Sequence, residues 1–244
     1  MSIPMRAITA EGLCKAYGDV KAVDHVDLEI NEGELFALLG QNGAGKTTLI
    51  RMLTGLTKPT EGRISILGMD ISKQYDRIKP LIAVSPQETS VATKLTVREN
   101  LEFISGIYGI ENASIDEMID KMHLADKRDT LSSKLSGGQQ RRLSIAMALI
   151  TDPRVLFLDE PTLGVDVMAR RGLQEIIRDL HGDVTVVLTT HYLEEAEALA
   201  DRIAIMSNGV IKALGTPSEL MNTTGTNSVE DAFVSLVGKE SDWE

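Results

Sequence analysis

The chain has 244 residues, with 25 Lys plus Arg against 36 Asp plus Glu and a formal net charge of −11 at pH 7. That length supports a sizeable core in one large α/β domain or a domain with a subdomain, and the acidic balance disfavours an extended nucleic-acid surface. One cysteine, Cys14, excludes an internal disulfide, no charged-then-apolar leader opens the chain, and no apolar run approaches the roughly 18 to 20 residues of a bilayer span, so a reducing cytosol is expected and any membrane role has to come through a partner.

In chain order, residues 6–28 read as short strands, with Ala22, Val26, Leu28 and Ile30 partly alternating and Gly18-Asp19 at a turn. Tyr17, just before that turn, either packs or stacks on a base, and the stretch alone favours packing. The apolar run 35–39 leads into Gly40-Gln41-Asn42-Gly43-Ala44-Gly45-Lys46-Thr47, then Thr48 and the apolar stretch 49–53. A buried strand, a glycine-rich turn and a helix start make the context of a phosphate-binding P-loop. Gly43 and Gly45 let successive N–H groups converge on an anion, and the helix start adds its own unsatisfied donors and dipole. Lys46 is suited to the β- and γ-phosphates and the Thr47 hydroxyl to Mg²⁺, so nucleotide binding is expected.

Residues 58–62 read as a turn, 63–67 as a surface strand and 81–84 as a short apolar strand that ends near Gln87, by itself an ordinary loop residue. From Thr96 the period becomes helical. Thr96-Val97-Arg98-Glu99 and Ser114-Ile115-Asp116-Glu117 both match a capping box, and Met118 and Met122 are expected in a helix core. The helical stretch, about 88–152, interrupts an α/β chain and is expected to be a subdomain. Within it Leu135-Ser136-Gly137-Gly138-Gln139 opens another helix. It reads as a plain N-cap or as a second anion site, with the N-cap favoured on these residues alone.

Residues 155–158 form an apolar strand ending in Asp159-Glu160, where a parallel sheet presents its ligands. Asp159 is suited to Mg²⁺ and Glu160 to taking a proton from water. A strand over 184–188 ends at Thr189-Thr190-His191, whose histidine is either structural or a donor to a γ-phosphate oxygen. Residues 203–214 read as a hairpin around Asn208-Gly209 with a type I′ turn, and Thr216-Pro217-Ser218-Glu219 caps a short helix. The division expected is one domain over 1–225 and a tail over 226–244, with 230–237 as a last helix.

Taken together, these motifs resemble the ATP-binding cassette of ABC transporters over about residues 6–220. The Leu135 to Gln139 signature, its spacing from Asp159-Glu160, and His191 beyond carry the likeness more than the P-loop does. The resemblance implies an α/β P-loop NTPase core with a mostly parallel sheet, an N-terminal antiparallel β subdomain and an inserted helical subdomain. It implies ATP and Mg²⁺ as ligands, held by Tyr17 on the adenine, residues 40–48 on the phosphates, and Thr47, Gln87 and Asp159 at the metal. Glu160 resembles the catalytic base and His191 the switch histidine, with Gln87 and Lys46 also catalytic. Ser136, Gly137, Gly138 and Gln139 would contact ATP held by a second cassette, and Asp166 would lie at that dimer interface. The segment Thr190 to Glu197, with Glu230-Asp231-Ala232-Phe233, is similar to drug, antibiotic or polysaccharide exporter cassettes. A separate membrane permease, a place at the cytoplasmic face of the membrane and no nucleic acid are then expected. A soluble ABC ATPase acting on DNA or ribosomes is the alternative, disfavoured by the short interval between Thr47 and Leu135 and by the single cassette. A P-loop GTPase or small-molecule kinase would leave the signature without a purpose.

Overall fold

The computed structural model describes residues 5–111 and 114–238. Arg6–Tyr17 (β1) and Val20–Asn31 (β2) form an antiparallel hairpin, and Leu35–Leu39 (β3) follows with every side chain buried. After Lys46–Leu53 (α1), Glu61–Ile66 (β4) and Met69–Asp70 (β5) join the hairpin in a sheet of order β2-β1-β4-β5. Leu67, which the sequence places in the strand, instead adopts φ +49° and turns the chain towards β5 with Gly68.

Ile71–Ile78 (α2) leads to Ile82–Ser85 (β6), and the chain then leaves the sheet for Val97–Tyr108 (α3), Ile115–Lys121 (α4) and Gly137–Leu149 (α5). It returns through Val155–Asp159 (β7), Val167–Arg178 (α6), Thr185–Thr190 (β8), Leu193–Leu199 (α7), Arg202–Ser207 (β9) and Val210–Gly215 (β10). The second sheet has the order β10-β9-β3-β8-β7-β6 and is parallel except for the edge strand β10. Asn208 and Gly209 take φ +48° and +79°, the type I′ geometry that joins β9 to β10.

The parallel strands are apolar on both faces because both are covered. Side chains alternate along each strand, so they feed two cores. Leu35, Ala37 and Leu39 of β3 pack with Leu158 of β7, Leu188 of β8 and the buried faces of α5, α6 and α7. Phe36 and Leu38 point the other way, with Phe157 and Val187, against α1 and the antiparallel sheet. Each such Leu or Phe stabilises the fold by about 1.5–3 kcal/mol relative to exposure.

Helix ends follow the local sequence in part. α3 begins with the capping box of Thr96 and Glu99. α4 does not form the expected one: Ser114 stands at the N-cap with ψ 67° and makes no side-chain cap bond, so the Ser-x-x-Glu spacing is present without the extended N-cap backbone the motif needs. Pro217–Thr224 (α8) has its capping box between Thr216 and Glu219. Val229–Val237 (α9), in the segment expected as a tail, buries Val229, Ala232 and Val237. Residues 1–4, 112–113 and 239–244 of the expected divisions lie outside the described residues.

Candidate functional site

β3, β8 and β7 are parallel neighbours, so their carboxyl ends open on one edge of the sheet. A glycine-rich turn connects β3 to α1 there. Gly45 has φ +103°, and a Cβ at this position would sit 2.3 Å from the Ala22 carbonyl oxygen, so only glycine closes the turn against β2. The N–H groups at the start of α1 have no partner within the helix and point outwards with the positive end of its dipole.

Lys46 is 5% exposed. Its Nζ donates to the carbonyls of Gly40 at 2.7 Å and Gln41 at 3.1 Å, and lies 3.8 Å from Glu160 Oε1. Burial pushes its pKa down, with Glu160 and Asp159 opposing that shift. The base of the turn therefore holds a cation whose charge is met by two dipoles and one carboxylate.

Asp159 ends β7 and is buried. The Thr189 hydroxyl donates to its Oδ1 at 2.6 Å, and the Thr47 hydroxyl stands 3.5 Å from its Oδ2. Glu160 follows with φ +47°, a conformation that costs a non-glycine residue about 1–2 kcal/mol. Its N–H donates to Thr189 Oγ1 at 2.9 Å, which helps hold that backbone. The Glu160 carboxylate then lies between Lys46 and His191, with His191 Nδ1 3.4 Å from Oε2. That nitrogen is buried and has no hydrogen-bond partner among the described residues.

These groups surround a cavity of about 490 Å³ lined by residues 42–48, Gln87, Glu160 and His191, with Ala22 and Leu163 at its sides. Gln87 and His191, each weak as a single sequence signal, are thus brought to the P-loop. Gly40 and Gln41 contribute carbonyls to Lys46, and Asp159 lies behind Thr47. Tyr17 and Ser136 to Gln139 are absent from the lining. Tyr17 ends β1 half-exposed, with Lys15 Nζ 5.2 Å from its ring centre. Ser136 caps α5: its Oγ accepts from the Gln139 N–H at 3.3 Å and the Gln139 Oε1 accepts from the Ser136 N–H at 3.0 Å.

Three further residues organise the site without having been singled out by the sequence. Arg141, on α5 and 3% exposed, donates to the carbonyls of Pro161 at 3.0 Å, Asp159 at 2.6 Å, Gln87 at 3.3 Å and Pro86. Burial lowers its pKa to about 10, against the pull of Asp159 and Glu195. Its spacing gave little signal, since Leu143, Ser144, Ala146 and Leu149 are buried as well as Gly138 and Ile145, and α5 has no single apolar stripe. Thr189 ties Asp159 to Glu160, as above. Glu195, 1% exposed on α7, has its carboxyl pushed up by burial, opposed by Thr190, Thr162, Arg170 and His191.

The profile of the family described as ABC transporter matches residues 23–163 of this chain. The chain is 42% identical over 229 residues to the daunorubicin/doxorubicin resistance ATP-binding protein DrrA of Streptomyces peucetius, across 92% of this chain and 69% of that protein. It is 39% identical over 223 residues to the Nod factor export ATP-binding protein I of Rhizobium etli, across 89% of this chain and 71% of that one. The dimeric, post-hydrolysis structure of the ATP-binding cassette MJ0796 bound to ADP and Pi superposes with a TM-score of 0.76 at 26% identity, across 86% of this chain and 98% of that chain. A cavity lined by the glycine-rich turn in a matching fold agrees with likeness along most of the sequence, and the chain belongs to the ABC transporter family as an ATP-binding and ATP-hydrolysing subunit.

Proposed function

We propose that Glu160 is the general base of ATP hydrolysis in this chain, that the site is completed by a second cassette, and that the energy drives export through a separate membrane-spanning protein. The placement of Glu160 carries this reading. Its carboxylate lines the cavity, 3.8 Å from the lysine that suits the γ-phosphate and 3.4 Å from an unpartnered imidazole nitrogen. With the phosphates on residues 40–48, Lys46 exchanges Glu160 for the γ-phosphate as its counter-charge. Glu160 is then free to accept the proton of a water that attacks the γ-phosphorus as the bond to ADP breaks. His191 donates to a γ-phosphate oxygen or holds that water, and Gln87 reaches the same space from the end of β6.

The hydroxyl of Thr47 and the carboxylate of Asp159 are hard oxygen donors side by side, and with Gln87 they fit Mg²⁺. When bound, Mg²⁺ neutralises charge on the β- and γ-phosphate oxygens. Tyr17 stacks on the adenine in this reading. Ser136, Gly137, Gly138 and Gln139, off the cavity of their own chain, meet the γ-phosphate of a partner cassette, with Asp166 at the same interface. Among the described residues no helix is long and apolar enough to cross a membrane, so the chain would be held at the cytoplasmic face by its permease. Export rather than import is supported by the names of the resistance and Nod factor relatives.

The test is Glu160→Gln, which keeps the shape of the side chain and removes the base. Turnover should fall by about 10²- to 10⁴-fold with ATP binding retained. ATP-bound dimers should accumulate by light scattering. Turnover near wild type removes Glu160 from the base role.

A further inference from the structure

A second cluster of ligating groups lies in the antiparallel sheet, outside the nucleotide cavity. β2, β1 and β4 run side by side there. Across one side Cys14 of β1 pairs with Glu61 of β4. Across the other, the register passes from Leu13 opposite Val26 to Lys15 opposite Val23, so Asp24 and His25 both stand against Cys14 alone. Two residues facing one make a β-bulge, which bends the strand and re-aims a side chain. His25 accordingly has φ +49°, and its N–H donates to Cys14 Sγ at 3.3 Å. The sulfur, a ring nitrogen of His25 and a carboxylate oxygen of Glu61 all lie within 4.8 Å of one another.

The histidine also has an orienting partner. His25 Nδ1 is 2.7 Å from Asp24 Oδ1, and Lys21 Nζ is 3.1 Å from the same oxygen. A carboxylate on one imidazole nitrogen is the arrangement that fixes the ring of a metal-binding histidine and leaves the other nitrogen available.

We propose that Cys14, His25 and Glu61 bind one Zn²⁺, with Asp24 as the positioning residue. The donor set is one thiolate, one imidazole and one carboxylate, with the fourth direction open to solvent. That set suits Zn²⁺ and not Mg²⁺, which takes oxygen donors. Zinc bonds of about 2.0–2.3 Å in a tetrahedron place ligand atoms roughly 3.3–3.8 Å apart, so the cluster closes by about 1 Å. Cys14 is buried, so that movement falls on the exposed side chains, on Glu61 and on His25 together with its Asp24 partner. A metal here ties three strands together three residues before Tyr17, and its binding does not depend on the reading of the nucleotide cavity.

Cobalt titration of the untagged full chain tests this. Cys14 is the only cysteine, so a thiolate-to-cobalt charge-transfer band in the near ultraviolet arises at this site and nowhere else. One equivalent of Co²⁺ should produce the band, and Zn²⁺ should abolish it by displacement where excess Mg²⁺ with ATP does not. His25→Asn tolerates the positive φ and Glu61→Gln keeps the surface shape. Each should weaken cobalt binding by at least about 10- to 100-fold, the range that even a lost orienting partner produces, as Asp24→Asn should. A wild-type chain that gives no band overturns the site. A band whose affinity is unchanged in either His25→Asn or Glu61→Gln overturns this set of ligands.

Discussion

Replacing Arg141 with alanine removes one guanidinium from four backbone carbonyls, those of Pro86, Gln87, Asp159 and Pro161. Bonds from a charged donor contribute about 1.5–3 kcal/mol each, so the four amount to roughly 6–12 kcal/mol before desolvation. Holding the cation out of water costs several kcal/mol, in keeping with burial lowering its pKa to about 10, and the net loss expected is about 2–4 kcal/mol. For a chain of this size that corresponds to a fall in Tm of about 4–16 °C. The functional loss should be selective. Arg141 anchors both the backbone at Gln87 and the end of β7 next to Glu160, but it makes none of these bonds to residues 40–48, so kcat should drop while ATP binding is largely kept. Arg141→Lys retains the charge and cannot bridge four acceptors, so it should fall between. Thermal unfolding followed by circular dichroism, with steady-state ATPase kinetics, measures both effects. An alanine variant with Tm and kcat within error of wild type refutes the assignment of Arg141 as the clamp of the site.

If Tyr17 stacks on the base, Tyr17→Ala should weaken ATP and GTP binding by similar factors, corresponding to about 1–3 kcal/mol, and Tyr17→Trp should preserve both. Unchanged affinity in the alanine variant leaves Tyr17 as packing only. Burial raises the Glu195 carboxyl above its usual 4.5, so the folded chain favours the neutral form more than the unfolded chain does. Its contribution to stability is complete below that usual value and is lost as pH rises through the raised one. Glu195→Gln stays neutral throughout, so its Tm advantage over wild type should grow as pH rises from about 4.5 through the raised value. A constant difference across that range contradicts it.

What the sequence made legible is mostly local. The P-loop declares itself because each residue type answers to a short-range need, such as the glycine at 45 that the Ala22 carbonyl demands. β3, β7 and β8 declare themselves as apolar runs because both faces of a parallel sheet are covered. Gln87 and His191 are different: each is marked only weakly, by following a strand end, and the parallel order β3-β8-β7-β6 is what sets them beside Lys46. Arg141 was hidden for the same reason. In Gln140-Arg141-Arg142 it looks like a solvated pair of cations, and its acceptors lie up to 55 positions away. The failure at Ser114 has another origin. A capping box needs an N-cap backbone in the extended region as well as the right residues, and the composition of four positions does not specify that angle.

The central claim is that the cavity around Lys46 is only part of a working site and that Ser136 to Gln139 of another copy complete it. Mixing two inactive variants tests this directly. Lys46→Ala removes the buried cation and Ser136→Arg obstructs the start of α5, and each should abolish ATPase activity in a homodimer. In a mixed dimer one site carries both lesions, and the other joins the intact P-loop of one chain to the intact signature segment of its partner. The account predicts that the mixture regains ATPase activity from that whole site. A mixture that stays inactive, while Lys46→Ala mixed with wild type remains active, contradicts it.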